Sequence, residues 1–194
     1  MARFPFACLI LTGLPGAGKS TSGALLAERL RFEFVDIDSL IEANEKMSVQ
    51  EIFGSLGEGH FRRLETRTLE DLCRRREEAP DPKGLVLAVG GGLPESAHNR
   101  RLLNELGVVV YLSASIDAIL RRIGSDRSRP LLQTDKHDNA DQRRQRLESL
   151  LDRRETAYQE AHIMIDTSDL STEEVVLSIL EALKRRSNEM KERC

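Results

Sequence analysis

Gly13-Leu14-Pro15-Gly16-Ala17-Gly18-Lys19-Ser20 follows an apolar run, Cys8 to Thr12, and precedes a stretch in which Leu25, Leu26 and Leu30 recur at helical spacing. The pattern G-x-x-x-x-G-K-[ST], set between a strand and a helix, is that of a phosphate-cradling loop. Its glycines let the backbone bend so that amide N–H groups point inward, and the positive end of the helix dipole adds attraction. Gly16, Ala17 and Gly18 supply the amides, and Lys19 bridges the β- and γ-phosphates. The Ser20 hydroxyl is placed for Mg²⁺ and Thr21 for the α-phosphate. This stretch predicts nucleotide binding, with ATP as the ligand.

Outward from the loop, short apolar runs alternate with amphipathic stretches. Phe32 to Asp36, Leu85 to Val89, Val108 to Leu112 and Ile163 to Asp166 read as further strands. Leu102, Leu103 and Leu106 mark a middle helix closed by Gly107, and Val175, Val176, Ile179 and Leu180 mark a last one. The alternation predicts an α/β fold of three layers, a five-stranded parallel sheet with helices on both faces and ligands at the carboxyl ends of the strands. Glu77 to Gly84 reads as an exposed loop, Gly124 to Asn139 as a mobile lid and Lys184 to Cys194 as a charged helix end or tail.

The 194 residues fit one domain spanning 1–194, and 40% apolar with 31% charged residues exclude both a disordered and a bilayer-embedded chain. A net charge of −3 gives no global basic field, so no nucleic-acid partner and no membrane partner is expected. The odd, scattered cysteines Cys8, Cys73 and Cys194 suggest neither a disulfide framework nor a zinc site. No targeting signal is read near the start. A reducing cytoplasmic setting and a monomer are the expectations.

The remaining chemistry is carried by acids and arginines. The third strand ends in Gly90-Gly91-Gly92 and offers no acid for a metal, whereas the second ends Val35-Asp36-Ile37-Asp38. Strand alternation would put both carboxylates on one side, Asp36 for Mg²⁺ and its waters and Asp38 toward an acceptor hydroxyl. Asp38 as a simple helix cap is the competing reading. Arg62 and Glu65 share a helix face, either to fork onto a substrate carboxylate or as a surface ion pair, and Arg63 and Arg67 read as surface charges. The three glycines suit either close approach of a ligand or a tight turn. Arg129 in the lid is placed to stabilise charge in transfer, and Arg122 to face the nucleotide base. Of Arg153 and Arg154, adjacent on one helix, one must point outward.

Taken in order, G-L-P-G-A-G-K-S-T, D-I-D, G-E-G-H-F-R-R-L-E, G-G-G, R-P-L-L and R-E-T-A-Y resemble the motif series of the shikimate kinases from Cys8 to about Asp169. The resemblance implies ATP- and Mg²⁺-dependent phosphorylation of the 3-hydroxyl of shikimate, a step of aromatic amino acid biosynthesis. It implies that Asp38, Arg62, Gly91 and Arg154 contact shikimate, with Glu65 supporting Arg62, and that Tyr158 in R-x-x-x-Y selects Arg154 over Arg153. It also implies Ser20 and Asp36 at the metal, Arg129 acting from the lid, Arg122 near the adenine and an adenine loop about Ser168 to Ser171. Three features depart from the family pattern: a longer stretch around Pro80 to Lys83, a somewhat extended segment after R-P-L-L, and Leu93-Pro94 after the glycines, which could alter the acceptor wall. A kinase of another hydroxylated acid such as gluconate, or a non-catalytic ATP-gated module, are the competing functions.

Overall fold

The computed structural model describes residues 6–78, 83–123 and 140–192. Five strands, β1 Cys8–Thr12, β2 Glu33–Asp36, β3 Leu85–Ala88, β4 Val108–Ser113 and β5 Ile163–Asp166, form one parallel sheet in the order β2-β3-β1-β4-β5. The helices are α1 Lys19–Leu30, α2 Ile37–Glu45, α3 Val49–Leu56, α4 Glu58–Glu78, α5 Ala97–Leu106, α6 Ile116–Ile123, α7 Ala140–Gln159 and α8 Thr172–Glu192, with a short 3₁₀ turn at Leu93–Glu95. The expected strands are all present within a residue at each end. The charged end from Lys184 is helical as far as Glu192. The expected lid, Gly124 to Asn139 with Arg129, lies outside the described residues, as do residues 79–82 of the expected loop.

Alternation along the strands sorts the core into two faces. Ile10, Leu85, Leu87 and Val109 pack with Ile37, Ile41, Ile52, Phe61, Leu69 and Leu103 from α2 to α5. Leu9, Leu11, Val86, Val108, Val110 and Leu112 pack on the other side with Leu26 and Ala27 of α1 and Val175, Val176, Ile179 and Leu183 of α8. Each such Leu, Ile or Val contributes about 1.5–3 kcal/mol on burial. A third cluster, Leu14, Tyr111, Ile119, Leu147, Leu150 and Tyr158, lies under the loop after β1. Because β1 is flanked by β3 and β4, successive crossovers leave it in opposite directions, and a crevice opens at its carboxyl end. Gly107 caps α5 as expected, its N–H donating to the Leu103 carbonyl at 3.1 Å from extended backbone (φ 173), and its missing Cβ admits the backbone of Cys8.

Candidate active site

The loop after β1 enters α1 through Gly16 (φ 85) and Gly18 (φ 93), backbone conformations that favour glycine. α1 has no side-chain cap and no acid in its first turn, so its leading N–H groups face the crevice with the dipole's positive end. Lys19 is 8% exposed, and its ammonium donates to the Gly13 and Leu14 carbonyls at 2.9 and 3.0 Å. A cavity of about 400 Å³ runs along this turn, lined by Gly16 to Ser22, Arg122, Ile123, Thr167, Leu170, Ser171, Thr172 and Val175. Arg122 reaches it from α6 and donates to the carbonyl and hydroxyl of Thr167, the latter at 3.0 Å, and to the Ser168 carbonyl at 3.3 Å. Thr167 is not legible in the sequence, since nothing in its neighbourhood forms a motif. The expected adenine loop falls beside it, where Leu170 and Ser171 line the cavity.

A second cavity of about 340 Å³ shares Lys19 and Ser20 with the first. Asp36, Asp38, Phe53, Phe61, Arg62, Glu65, Gly90, Gly91, Gly92 and Arg154 line it as well, so six elements and the turn after β3 converge there. The Ser20 hydroxyl donates to Asp36 at 2.6 Å. The other Asp36 oxygen accepts from the Asp38 and Ser39 N–H groups at 3.0 and 3.4 Å, which makes Asp36 the N-cap of α2. Two expectations are corrected here. β2 ends at Asp36, so strand alternation does not relate the two acids, and the cap is Asp36, with Asp38 in the first helical turn. Both acids still line the same cavity because the helix turn, about 100° per residue, brings Asp38 round toward Gly90.

Arg62 and Glu65 are no surface pair. Glu65 is 1% exposed and accepts from Arg62 at 2.7 Å, while the other arm of Arg62 donates to Glu58, also at 2.7 Å. Arg62 lies over the Phe61 ring at 5.8 Å. Glu58 escapes the sequence reading although its i,i+4 spacing to Arg62 is plain there. Burial pushes the Glu65 carboxyl up to about 7, against the pull of Arg62 and with Asp38 adding to the rise. Its Oε1 is buried with no hydrogen-bond partner among the described residues. Arg63 and Arg67 are not buried, in keeping with their reading as surface charges.

The glycines of the turn serve space as well as the turn itself. Leu93 N–H bonds the Gly90 carbonyl at 3.0 Å. A Cβ at Gly90 would collide with Glu65 and stand 2.9 Å from Asp38, one at Gly91 would meet Tyr158 at 3.0 Å and Arg154 at 3.2 Å, and one at Gly92 would collide with Arg62. Arg154 is 1% exposed and Arg153 exposed, which settles which of the pair turns inward. The Tyr158 hydroxyl donates to the Gly91 carbonyl at 2.7 Å, and its ring stacks on Tyr111 at 4.7 Å. Burial raises the Tyr158 hydroxyl well above its ordinary pKa. Leu93 and Pro94 are buried and stay out of the acceptor cavity, contrary to the expectation that they would alter its wall. The residue after them, Glu95, does matter: it pairs with Arg154 at 2.7 Å.

A phosphate cradle that opens through a shared lysine and serine onto a charged cavity defines a P-loop kinase of small molecules. A family model described as shikimate kinase matches residues 15–184, and the chain belongs to the shikimate kinase family. A shikimate kinase of Geobacter sulfurreducens is 43% identical over 171 residues, 88% of this chain and 87% of that one. The structure of a shikimate kinase from Acinetobacter baumannii in complex with shikimate superposes with a TM-score of 0.84 at 36% identity, covering 95% of this chain and 97% of that one. A gluconokinase from Sinorhizobium meliloti 1021, at 18% identity and a TM-score of 0.60, shares the fold alone. No helix among the described residues is long and apolar enough to cross a membrane.

Proposed function

We propose that this protein transfers the γ-phosphoryl group of ATP to the 3-hydroxyl of shikimate. The observation that carries the reading is the meeting of the two cavities at Lys19 and Ser20, with Asp38 and two arginines on the far side. A hydroxylated acid needs cations for its carboxylate and acids for its hydroxyls, and this cavity offers both. Arg62 and Arg154 take the carboxylate as charge-assisted donors, Arg154 through its terminal nitrogens. Asp38 orients the acceptor hydroxyl and takes its proton late, since a loose phosphoryl-transfer transition state asks little of early proton abstraction. Glu65 holds Arg62 in place, and the Gly91 N–H lies against the acceptor. Lys19 and the α1 amides stabilise charge on the phosphates as it shifts toward the leaving ADP.

Ser20 and Asp36 fit Mg²⁺. They are two hard oxygens 2.6 Å apart beside the phosphate cradle, and a small ion that keeps several waters needs few protein ligands. When bound, Mg²⁺ neutralises charge on the β- and γ-oxygens. Arg122, on the rim of the nucleotide cavity, faces the base, and Arg129 would act from the expected lid. The chain works as one domain, as a monomer and in the cytoplasm.

A coupled assay of ADP release across shikimate, gluconate and related acids tests this function. Shikimate-dependent turnover is expected. ATP binding with no acceptor-dependent turnover, or turnover on gluconate and none on shikimate, would overturn it.

A further inference from the structure

Arg154 reaches the acceptor cavity fully buried, with its guanidinium divided between two duties. Its Nε donates to Glu95 at 2.7 Å, while its Nη1 is buried with no hydrogen-bond partner among the described residues and lies beside Gly91. A guanidinium offers two edges to a carboxylate, one through Nε and one through the two terminal nitrogens. With Nε committed to Glu95, only the terminal edge remains for an acceptor.

Glu95 is itself held by a built frame. It closes the 3₁₀ turn that begins where the glycines end. Asn99 donates to the Leu93 carbonyl at 3.0 Å, and Arg100 donates to the Pro94 and Glu95 carbonyls at 2.8 and 3.1 Å. Arg100 is in turn anchored to Glu160 at 2.8 Å. The backbone of Glu95 is thereby tied to α5, and through Glu160 to the end of α7. Its carboxylate meets Arg154 at Nε, and Nη1, next to Gly91 of the cavity lining, is left without a partner among the described residues.

We propose that Glu95 is a positioning residue for the acceptor: it grips Arg154 by Nε so that the terminal edge of the guanidinium faces the acceptor's carboxylate. The proposal rests on the reading of the acceptor as a carboxylic acid. A second negative charge near that carboxylate weakens attraction, so the contribution of Glu95 is directional and not electrostatic. A glutamine in its place would keep an oxygen for Nε without the charge.

The test uses the full chain with Glu95→Ala and Glu95→Gln, each assayed with shikimate and with its neutral carboxamide. Glu95→Ala is expected to raise the KM for shikimate about tenfold, as for loss of one charge-assisted hydrogen bond, with kcat and the KM for ATP within about twofold. The KM for the carboxamide should move less than about twofold, and Glu95→Gln should return the shikimate KM to within about threefold of wild type. Should Glu95→Ala not fold, Glu95→Asp, which shortens the reach by one methylene, takes its place with the same carboxylate-specific rise expected. An unchanged shikimate KM, or an equal rise for shikimate and carboxamide, overturns the proposal. If wild type turns over a different hydroxy acid and not shikimate, the acceptor's identity is wrong, and the contrast between that acid and its amide decides the role of Glu95.

Discussion

The nucleotide cavity and the acceptor cavity share Lys19 and Ser20 but are made of different material. Half of the first's lining is one unbroken stretch, Gly16 to Ser22, whose working groups are backbone amides at the start of α1. The second is built from side chains that arrive on separate elements, each held by a polar partner: Arg62 by Glu58 and Glu65, Arg154 by Glu95, Asp36 by Ser20. A backbone cradle tolerates most side-chain changes around it and reads any nucleoside triphosphate's phosphates. A side-chain cage reads one acceptor and fails when a single partner is removed, because the group left behind is buried and unpaired.

That difference can be broken most sharply at the shared residue. Lys19→Met should cut turnover by about 10²–10³, the cost of losing one donor aimed at transition-state charge. Shikimate binding, measured by calorimetry, should stay nearly unchanged, and its loss would mean that the two cavities are not separable. Asp38→Asn should lower kcat by about 10² while leaving ATP affinity within about twofold, and a wild-type rate would remove Asp38 from the chemistry.

Arg62→Ala sharpens the comparison from the acceptor side. The KM for shikimate should rise about ten- to hundredfold, as for loss of a charged hydrogen bond, with the KM for ATP unmoved. Steady-state kinetics in both substrates would show it, and parallel shifts in both KM values would contradict it.

The smallest effect concerns Glu65 and pH. Its folded pKa of about 7 lies above the ordinary value of 4.5, so between these values the folded chain holds a proton that the unfolded chain has released. This group's contribution to stability therefore falls as pH rises from 4.5 to about 7. Glu65→Gln should remove that slope, so that wild type loses stability relative to the variant between pH 4.5 and about pH 7 in denaturant melts. A constant difference would show that Glu65 does not titrate in this window.

The same contrast explains what the sequence makes legible. The phosphate cradle is readable because its chemistry depends on consecutive backbone positions, and the strands because both faces of a buried parallel sheet are apolar. Asp38, Arg62 and Arg154 can be found, yet from local spacing alone Arg62–Glu65 reads equally as a surface pair. Its burial is a product of the helix packing that places α4 against α2 and α3. Glu95 and Thr167 give no signal, since each acts on a residue far along the chain, 59 and 45 positions away. Spacing misleads on the relation of Asp36 to Asp38 because the carboxylate of Asp36 itself ends the strand by capping α2.

On the function proposed, the two cavities join a nucleotide's phosphate to one hydroxyl of one acid. Proton and phosphorus NMR of a reaction of the wild-type chain with ATP, Mg²⁺ and shikimate tests it most directly. A single new phosphomonoester, coupled to the proton on C3 and formed mole for mole with ADP, is the predicted result. A phosphoester on another hydroxyl, or ADP appearing without any phosphoester of shikimate, would contradict it.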